Sequence, residues 1–298
     1  MALPFSTAVL AEVNKAAGGL LGRPFRLKRV EPAAGGSINR AFAVGDGEDR
    51  FFLKVNDAEA LAVFEAEAEG LDALRDANVR APAPLAHGIA AGEAFLLMEY
   101  LPLRAPRDGD YIGLADALGT LHENIAPSFG WVQPNFIGAS RQANPWTESW
   151  VDFWRGARLE RQLDVARQKG YGGMLQLLGE QVLAAVPEVL DGHAPQPCLV
   201  HGDLWRGNVG FLANGTPSLF DPAVYFGDRE VDIAMTELFG GFPQVFYDTY
   251  FERFPVDEGY AGRRDLYNLY HLLNHLNLFG ACGDQVERLM RSILQRFY

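Results

Sequence analysis

The chain is poor in cysteine. Cys198 sits in an apolar run and Cys282 in Gly280-Ala281-Cys282-Gly283, and these two residues in 298 exclude a disulfide framework and a cysteine-built zinc site. A reducing, cytoplasmic setting is the expectation. Long apolar runs are missing too: the strongest, Phe95-Leu96-Leu97-Met98, is far below the roughly 20 residues that span a bilayer. No basic segment followed by a long apolar stretch opens the chain, so a soluble protein without a membrane partner is expected. Positive charge is the minority sign, 26 Lys and Arg against 38 Asp and Glu for a net −12, and no basic cluster forms a nucleic-acid footprint. A cationic substrate suits that balance better. Internal repeats, low-complexity tracts and long linkers are also absent, while the length allows about 75% of the unfolded surface to be buried, enough for two lobes with cores.

What is present is a dense run of polar chemistry, His201-Gly202-Asp203-Leu204-Trp205-Arg206-Gly207-Asn208, with Asp221 following 13 positions after Asn208 in Leu219-Phe220-Asp221-Pro222-Ala223. An Asp, an Asn five residues later and a second Asp beyond it are the groups that phosphoryl transfer needs to orient a hydroxyl and hold Mg²⁺ against ATP. Asp203 is the candidate general base, a role typically contributing about 10²- to 10⁴-fold. Asn208 and Asp221 are the candidate metal ligands, because Mg²⁺ takes hard oxygen donors and keeps part of its water shell. Cys198-Leu199-Val200, Val209-Gly210-Phe211-Leu212 and Ser218-Leu219-Phe220 read as short strands around the motif, with Asn214-Gly215 as a turn. That reading sets the three polar side chains at strand ends facing one cleft. A lone His-Gly-Asp is also what an ordinary turn looks like; the full string with Asn208 and Asp221 is the specific signal.

Upstream, Ser6 caps a first helix with Val9, Leu10 and Val13 at helical spacing, and Gly18-Gly19 is expected to stop it. Phe25 to Val30 and Ala41 to Val44 read as strands joined through Ala33-Ala34-Gly35-Gly36-Ser37-Ile38-Asn39-Arg40. A glycine-rich tip of this kind suits either bare backbone N–H groups approaching phosphate or a plain flexible turn. The next strand, Arg50 to Val55, carries Lys54 inside an apolar sequence, where a charge needs a partner. Kinases pair such a Lys with a Glu on the following helix. Here that helix is Ala58 to Arg75, and of its acids Glu67 lies one turn from Phe64 and Leu71, which makes it the chosen partner.

Ala94 to Leu101 reads as a buried strand ending at Pro102, in the position of a lobe connector with Met98, Glu99 and Leu101 beside adenine; such a strand is equally ordinary core. Helical patterns follow at Tyr111–Asn124, Trp146–Gln168, Met174–Val189, Arg263–Leu278 and Val286–Phe297. The expected fold is therefore α+β and two-lobed, an antiparallel sheet plus helix over residues 1–101 and a mostly helical lobe over 102–298.

These residues resemble the fructosamine kinase, or ketosamine-3-kinase, family of the protein-kinase-like superfamily that includes aminoglycoside and choline phosphotransferases. The likeness runs over nearly the whole chain. It is carried by Gly35-Gly36-Ser37-Ile38-Asn39, Lys54, Glu67, Leu97-Met98-Glu99-Tyr100, Gln142-Ala143-Asn144, HGDLWRGN, Asp221-Pro222-Ala223-Val224-Tyr225-Phe226-Gly227 and Asn274-His275-Leu276-Asn277-Leu278-Phe279-Gly280. The resemblance implies ATP- and Mg²⁺-dependent phosphorylation of the 3-hydroxyl of a ketoamine, a small adduct or a protein-bound one, as a deglycation repair step by a monomer or weak dimer. It implies Lys54 and Glu67 as the phosphate-binding pair, with Gly35, Gly36, Ser37, Asn39, Met98, Glu99 and Leu101 around the nucleotide. Asp203 becomes the base and Asn208 and Asp221 the metal ligands. Trp205 and Tyr225 fall on the substrate side, the Trp stacking on the sugar-amine if it is not core. Asp232 is expected to cap a helix and brace the catalytic loop. Asp228 departs from a frequent His and is expected near the substrate mouth; the glycine-rich loop lacks a cysteine found in some relatives. Two other readings compete: a phosphotransferase for an aminoglycoside or choline, and a nucleotide-binding pseudokinase, against which the intact Lys54, Asp203, Asn208 and Asp221 argue.

Overall fold

The computed structural model describes residues 3–33 and 38–297, apart from the side chain of Phe297. The chain forms two compact units, one from the residues up to Gly113 with Gly207–Pro222, the other from Leu114–Arg206 with Ala223 onward.

In the first unit, helix α1 (Thr7–Leu21) starts as expected, the Ser6 hydroxyl accepting the Val9 N–H at 3.2 Å. Gly18-Gly19 does not stop it. The buried stripe Val9, Val13 and Ala17 carries the helix through both glycines to Gly22, whose φ of 63° makes a left-handed cap. Strands β1 (Arg29–Pro32), β2 (Arg40–Gly45), β3 (Arg50–Asp57), β4 (Pro84–Ala90) and β5 (Glu93–Glu99) form an antiparallel sheet in the order β1-β2-β3-β5-β4. The first strand begins at Arg29 rather than Phe25, because Phe25 turns into the core edge-on to Phe51.

The period of two in β3 sorts its side chains. Phe51, Leu53 and Val55 join Val9, Val13 and Phe95 in one apolar cluster, whereas Phe52 and Lys54 point to the opposite face. Helix α2 (Leu61–Asp76), entered through a 3₁₀ turn at Ala58–Ala60, meets that opposite face and buries Phe64, Glu67, Leu71 and Leu74. A small antiparallel sheet of Leu103–Arg104, Val209–Leu212 and Pro217–Leu219 completes the unit.

The second unit is mostly helical. Its centre is the helix Tyr260–Phe279, buried nearly all round, against which Met174–Val189 and Gly283–Phe297 pack. The helical stretch expected from Trp146 begins at Trp150, where Ser149 caps it, and passes through a π-helical turn at Phe153–Glu160 before Arg161–Gln168. Two short β pairs are set into it: Cys198–Val200 with Tyr225–Gly227, and Asn135–Ile137 with Ser140–Gln142. Helices Glu230–Leu238 and Gln244–Arg253 are additional to those expected. Among the described residues no helix is long and apolar enough to cross a membrane. A sheet-and-helix unit followed by a helical one is the α+β class expected.

Candidate active site

Lys54 is the hub of the first unit's site. Its place on the inner face of β3, opposite Ala41 on β2 and Leu96 on β5, sends the ammonium toward α2. There Nζ lies 2.6 Å from Glu67 Oε1 and also pairs with Asp221. Burial works against the charge on Lys54, but the Asp221 and Glu67 carboxylates outweigh it and hold its pKa above the usual lysine value. Burial pushes Glu67 the other way from an ordinary carboxyl, up to about 7, with Asp221 adding repulsion and Lys54 opposing both. This is a desolvated cation shared between two acids, and it tolerates the loss of one partner only if another anion replaces it.

A cavity of about 380 Å³ opens from this cluster. Ala43, Phe52, Met98, Leu101, Val209 and Phe220 supply an apolar slot, and Lys54, Glu67 and Asp221 its polar end. Ala43, Phe52 and Met98 lie side by side because they are register partners on three neighbouring strands. Small-molecule sites are commonly 300–1,000 Å³ with a few polar groups at one end, and this shape fits an aromatic base with a charged tail.

Asp221 itself has a φ of 49°, a left-handed conformation unusual outside glycine. Such strain, of order 1–3 kcal/mol, persists only where the surroundings impose it, and it concentrates at functional positions. The Phe220 N–H donates to the Asn208 carbonyl at 2.9 Å, and Asn208 is buried. An amide just before one strand of the small sheet and a carboxylate just after its neighbour, with a lysine beside the carboxylate, are the hard-oxygen and cationic groups that a metal-bound polyphosphate requires; the residues fit Mg²⁺ and ATP.

The remaining expected nucleotide residues divide. Met98 and Leu101 line the cavity. Glu99 also lines it, but its carboxylate is taken by Arg80, with Nη1 at 2.9 Å, and its N–H donates to the Ala83 carbonyl. Asn39 accepts from Asn56 Nδ2 at 2.7 Å, which ties the end of the glycine-rich loop to β3. Gly35, Gly36 and Ser37 lie outside the described residues. Arg50, unremarked in the sequence, spans the cavity rim between Glu31 at 2.7 Å and the face of Tyr100 at 4.3 Å.

In the second unit the His201-Gly202-Asp203 turn is pinned from below. Asp232 Oδ2 accepts the His201 N–H at 2.7 Å and Oδ1 the Gly202 N–H at 2.9 Å, while Oδ2 also faces His122 Nε2 at 3.1 Å. Burial raises the Asp232 pKa, but the His122 contact and these N–H donors more than reverse it, and the carboxylate is held below its usual range. Asp232 braces the loop as expected. It caps nothing: Arg229 occupies the cap position of its helix. Gly202 has a φ of 81° and a Cβ there would fall 2.3 Å from the Ala223 carbonyl oxygen, so glycine is required. Asp203 is half-buried on this turn, its N–H donating to His201 Nδ1 at 3.2 Å.

Trp205 is 38% exposed, with its ring edge toward Phe239, so it is a surface indole rather than core. Tyr225 is the opposite case. It is 1% exposed, stacked on Phe153 and covered by the Arg158 guanidinium at 4.1 Å, so the expected substrate contact is corrected to a core role. Asp228 is likewise not at a substrate mouth. It is buried, bonded to His193 Nε2 at 2.7 Å and to the Tyr267 hydroxyl at 2.6 Å, a core junction of the second unit. The polar network around Arg158, Asn144, Asn135 and Gln142 escaped sequence reasoning, although Gln142-Ala143-Asn144 was itself conspicuous.

Residues 9–296 match the fructosamine kinase family model. A "Probable ketoamine kinase" of Synechocystis is 42% identical over 277 residues, 92% of this chain and 93% of that protein. The chloroplastic protein-ribulosamine 3-kinase of Oryza sativa subsp. japonica is 36% identical, over 87% and 77%. A crystal structure assigned to a fructosamine-3-kinase of Haemophilus somnus 129PT superposes with a TM-score of 0.87 at 29% identity, covering 95% and 96%. An aminoglycoside phosphotransferase superposes with a TM-score of 0.65 at 15% identity over 95% and 98%, a likeness of fold. On the family match and these identities, the chain belongs to the fructosamine kinase family.

Proposed function

We propose that this protein is an ATP-dependent kinase that phosphorylates the 3-hydroxyl of ketosamines, the ribulosamine or fructosamine adducts of lysine and other amines, free or protein-bound, and so initiates their repair. The observation that carries it is the buried Lys54 held between Glu67 and Asp221 at the polar end of an apolar cavity, in a chain of this family.

The chain's own residues supply orientation and charge. Lys54, kept protonated by its acids, is the phosphate-binding cation, and Glu67 fixes its direction. The apolar slot beside Met98 and Leu101 takes the adenine, and the family resemblance assigns Gly35, Gly36, Ser37 and Asn39 to nucleotide binding. Asn208 and Asp221 would hold Mg²⁺, which when bound neutralises developing charge on the transferred group. Asp203 takes the proton of the attacking hydroxyl, and Trp205 offers an exposed aromatic face to the sugar-amine. Residues 1–101 are thus mainly nucleotide-binding and 102–298 mainly catalytic and substrate-binding. The two cysteines are unpaired, which supports a reducing cytoplasm as the working compartment.

The test is ADP release by the purified protein with Mg-ATP and, separately, ribulose-lysine, fructose-lysine, choline and an aminoglycoside. Turnover with the ketosamines is expected. Turnover confined to choline or the aminoglycoside would refute the proposal.

A further inference from the structure

Arg158 is fully buried, yet among the described residues no carboxylate pairs with it. An isolated buried cation is costly unless its donors are satisfied and its charge is spread over polarisable neighbours. The π-helical turn Phe153–Glu160 delivers it among aromatic rings, with both terminal nitrogens bonded and Nε buried without a partner. Its guanidinium lies 4.5 Å from the Phe153 ring centroid and 4.1 Å from that of Tyr225, while Nη1 donates to the Ala143 carbonyl and Nη2 to Asn144 Oδ1, both at 2.7 Å. π-Helical turns are rare and recur at functional sites.

From Arg158 a chain of amides runs onward without a break. Asn144 Nδ2 donates to Asn135 Oδ1 at 2.9 Å, and Gln142 Nε2 donates to the same oxygen at 3.0 Å, its own Oε1 accepting the Tyr270 hydroxyl at 2.5 Å. Asn135 Nδ2 then donates to the Val224 carbonyl at 2.7 Å, and Gln142 Nε2 reaches the Ala223 carbonyl at 3.4 Å. The backbone it grips is also the backbone that holds the catalytic turn, since the Ala223 N–H donates to the His201 carbonyl at 2.8 Å and the Ala223 carbonyl lies against Gly202. Asp221, with its left-handed backbone, is two residues up the chain from Ala223.

We infer that Arg158, Asn144, Asn135 and Gln142 are positioning residues for phosphoryl transfer: the network fixes the backbone of Ala223 and Val224, and through it both the strained conformation of Asp221 and the seat of the Asp203 turn. None of the four is assigned a substrate contact; each acts through the next. A neutral amide relay suits this task because each Asn or Gln both accepts and donates, so the direction of every bond is dictated by the cation at one end and the carbonyls at the other. The inference rests on the kinase reading above.

The discriminating variant is Asn135→Asp, which keeps volume and the acceptor for Asn144 and Gln142 but loses the donor to the Val224 carbonyl; Gln142→Glu removes the other donor. For both we expect kcat with ribulose-lysine to fall at least tenfold, KM for the ketosamine to change less than twofold, and the Mg²⁺ concentration for half-maximal rate to rise severalfold. A second readout is free of the sugar: the increment in Tm that Mg²⁺ adds to ATP binding, taken from each variant's own ligand-free Tm, is expected to shrink in both variants. If wild type fails to use the ketosamine, the assigned substrate is wrong, and the Mg²⁺-dependent increment still decides the network. Unchanged kcat per folded molecule with an unchanged increment, or a lowered ligand-free Tm as the sole effect, overturns the inference.

Discussion

Lys54 is buried, paired with two acids and set at the end of a cavity. Because burial, with Asp221 beside it, holds the Glu67 pKa up at about 7, its carboxylate takes up a proton as pH falls, loosening its hold on Lys54. The wild-type kcat/KM for ATP is therefore expected to fall on the acid side of about pH 7, and Glu67→Gln, which has no proton to gain, is expected to be low throughout and to lack that limb. A pH profile of both proteins checks this. Asp203→Asn should lower turnover by about 10²- to 10⁴-fold with Mg-ATP affinity within twofold, whereas Asp221→Ala should weaken nucleotide binding in the presence of Mg²⁺. Calorimetric titration beside ADP-release assays separates the two. Lys54 and Glu67 were legible in the sequence because a lysine inside an alternating apolar strand demands a partner, and helical spacing leaves few candidates. Arg158 was not, since its partners are amides and carbonyls scattered over residues 135–144, with no charge pattern to betray them. Tyr225 misled because its neighbours in the motif are functional while its own ring faces inward.

At the scale of elements, two glycines make opposite predictions. Gly19 is exposed near the end of α1, with nothing within 4 Å of a Cβ, so Gly19→Ala is expected to stabilise the protein by about 0.5–1 kcal/mol in denaturant unfolding. Gly202 combines a left-handed φ with the Ala223 carbonyl in the space of its Cβ, and Gly202→Ala is expected to abolish turnover. Asp232 joins the helix Glu230–Leu238 to that same turn. Removing it as Asp232→Ala leaves two buried N–H groups without their acceptor and is expected to cost about 3–5 kcal/mol, measured by the same unfolding curves. Its pKa is depressed, so its contribution is fully present above the ordinary carboxylate range and is lost as pH falls through the lower folded value. The helix Met174–Val189 was legible to the residue because it is amphipathic. Glu230–Leu238 was not: seven of its nine residues are buried, and a helix covered on nearly all sides has no periodic stripe to read.

At the scale of the whole molecule, the two units differ in composition. The first is a sheet whose inner face, read off the alternation in β3, builds a nucleotide-sized cavity with a buried cation at its end. The second is a helical body that braces a short turn bearing Asp203 and Trp205 through Asp232 and the Arg158 network. The α+β class and the kinase-like chemistry could be read from the motifs alone; the brace could not, because it is assembled from groups far apart in the chain. The most direct measurement is the position of the phosphate on the product. After incubation with Mg-ATP and ribulose-lysine, phosphorus–proton correlation NMR is predicted to place the new phosphate on the oxygen at C3 of the ketosamine. A phosphate at another hydroxyl, or no phosphorylated ketosamine while choline or an aminoglycoside is converted, would contradict the account.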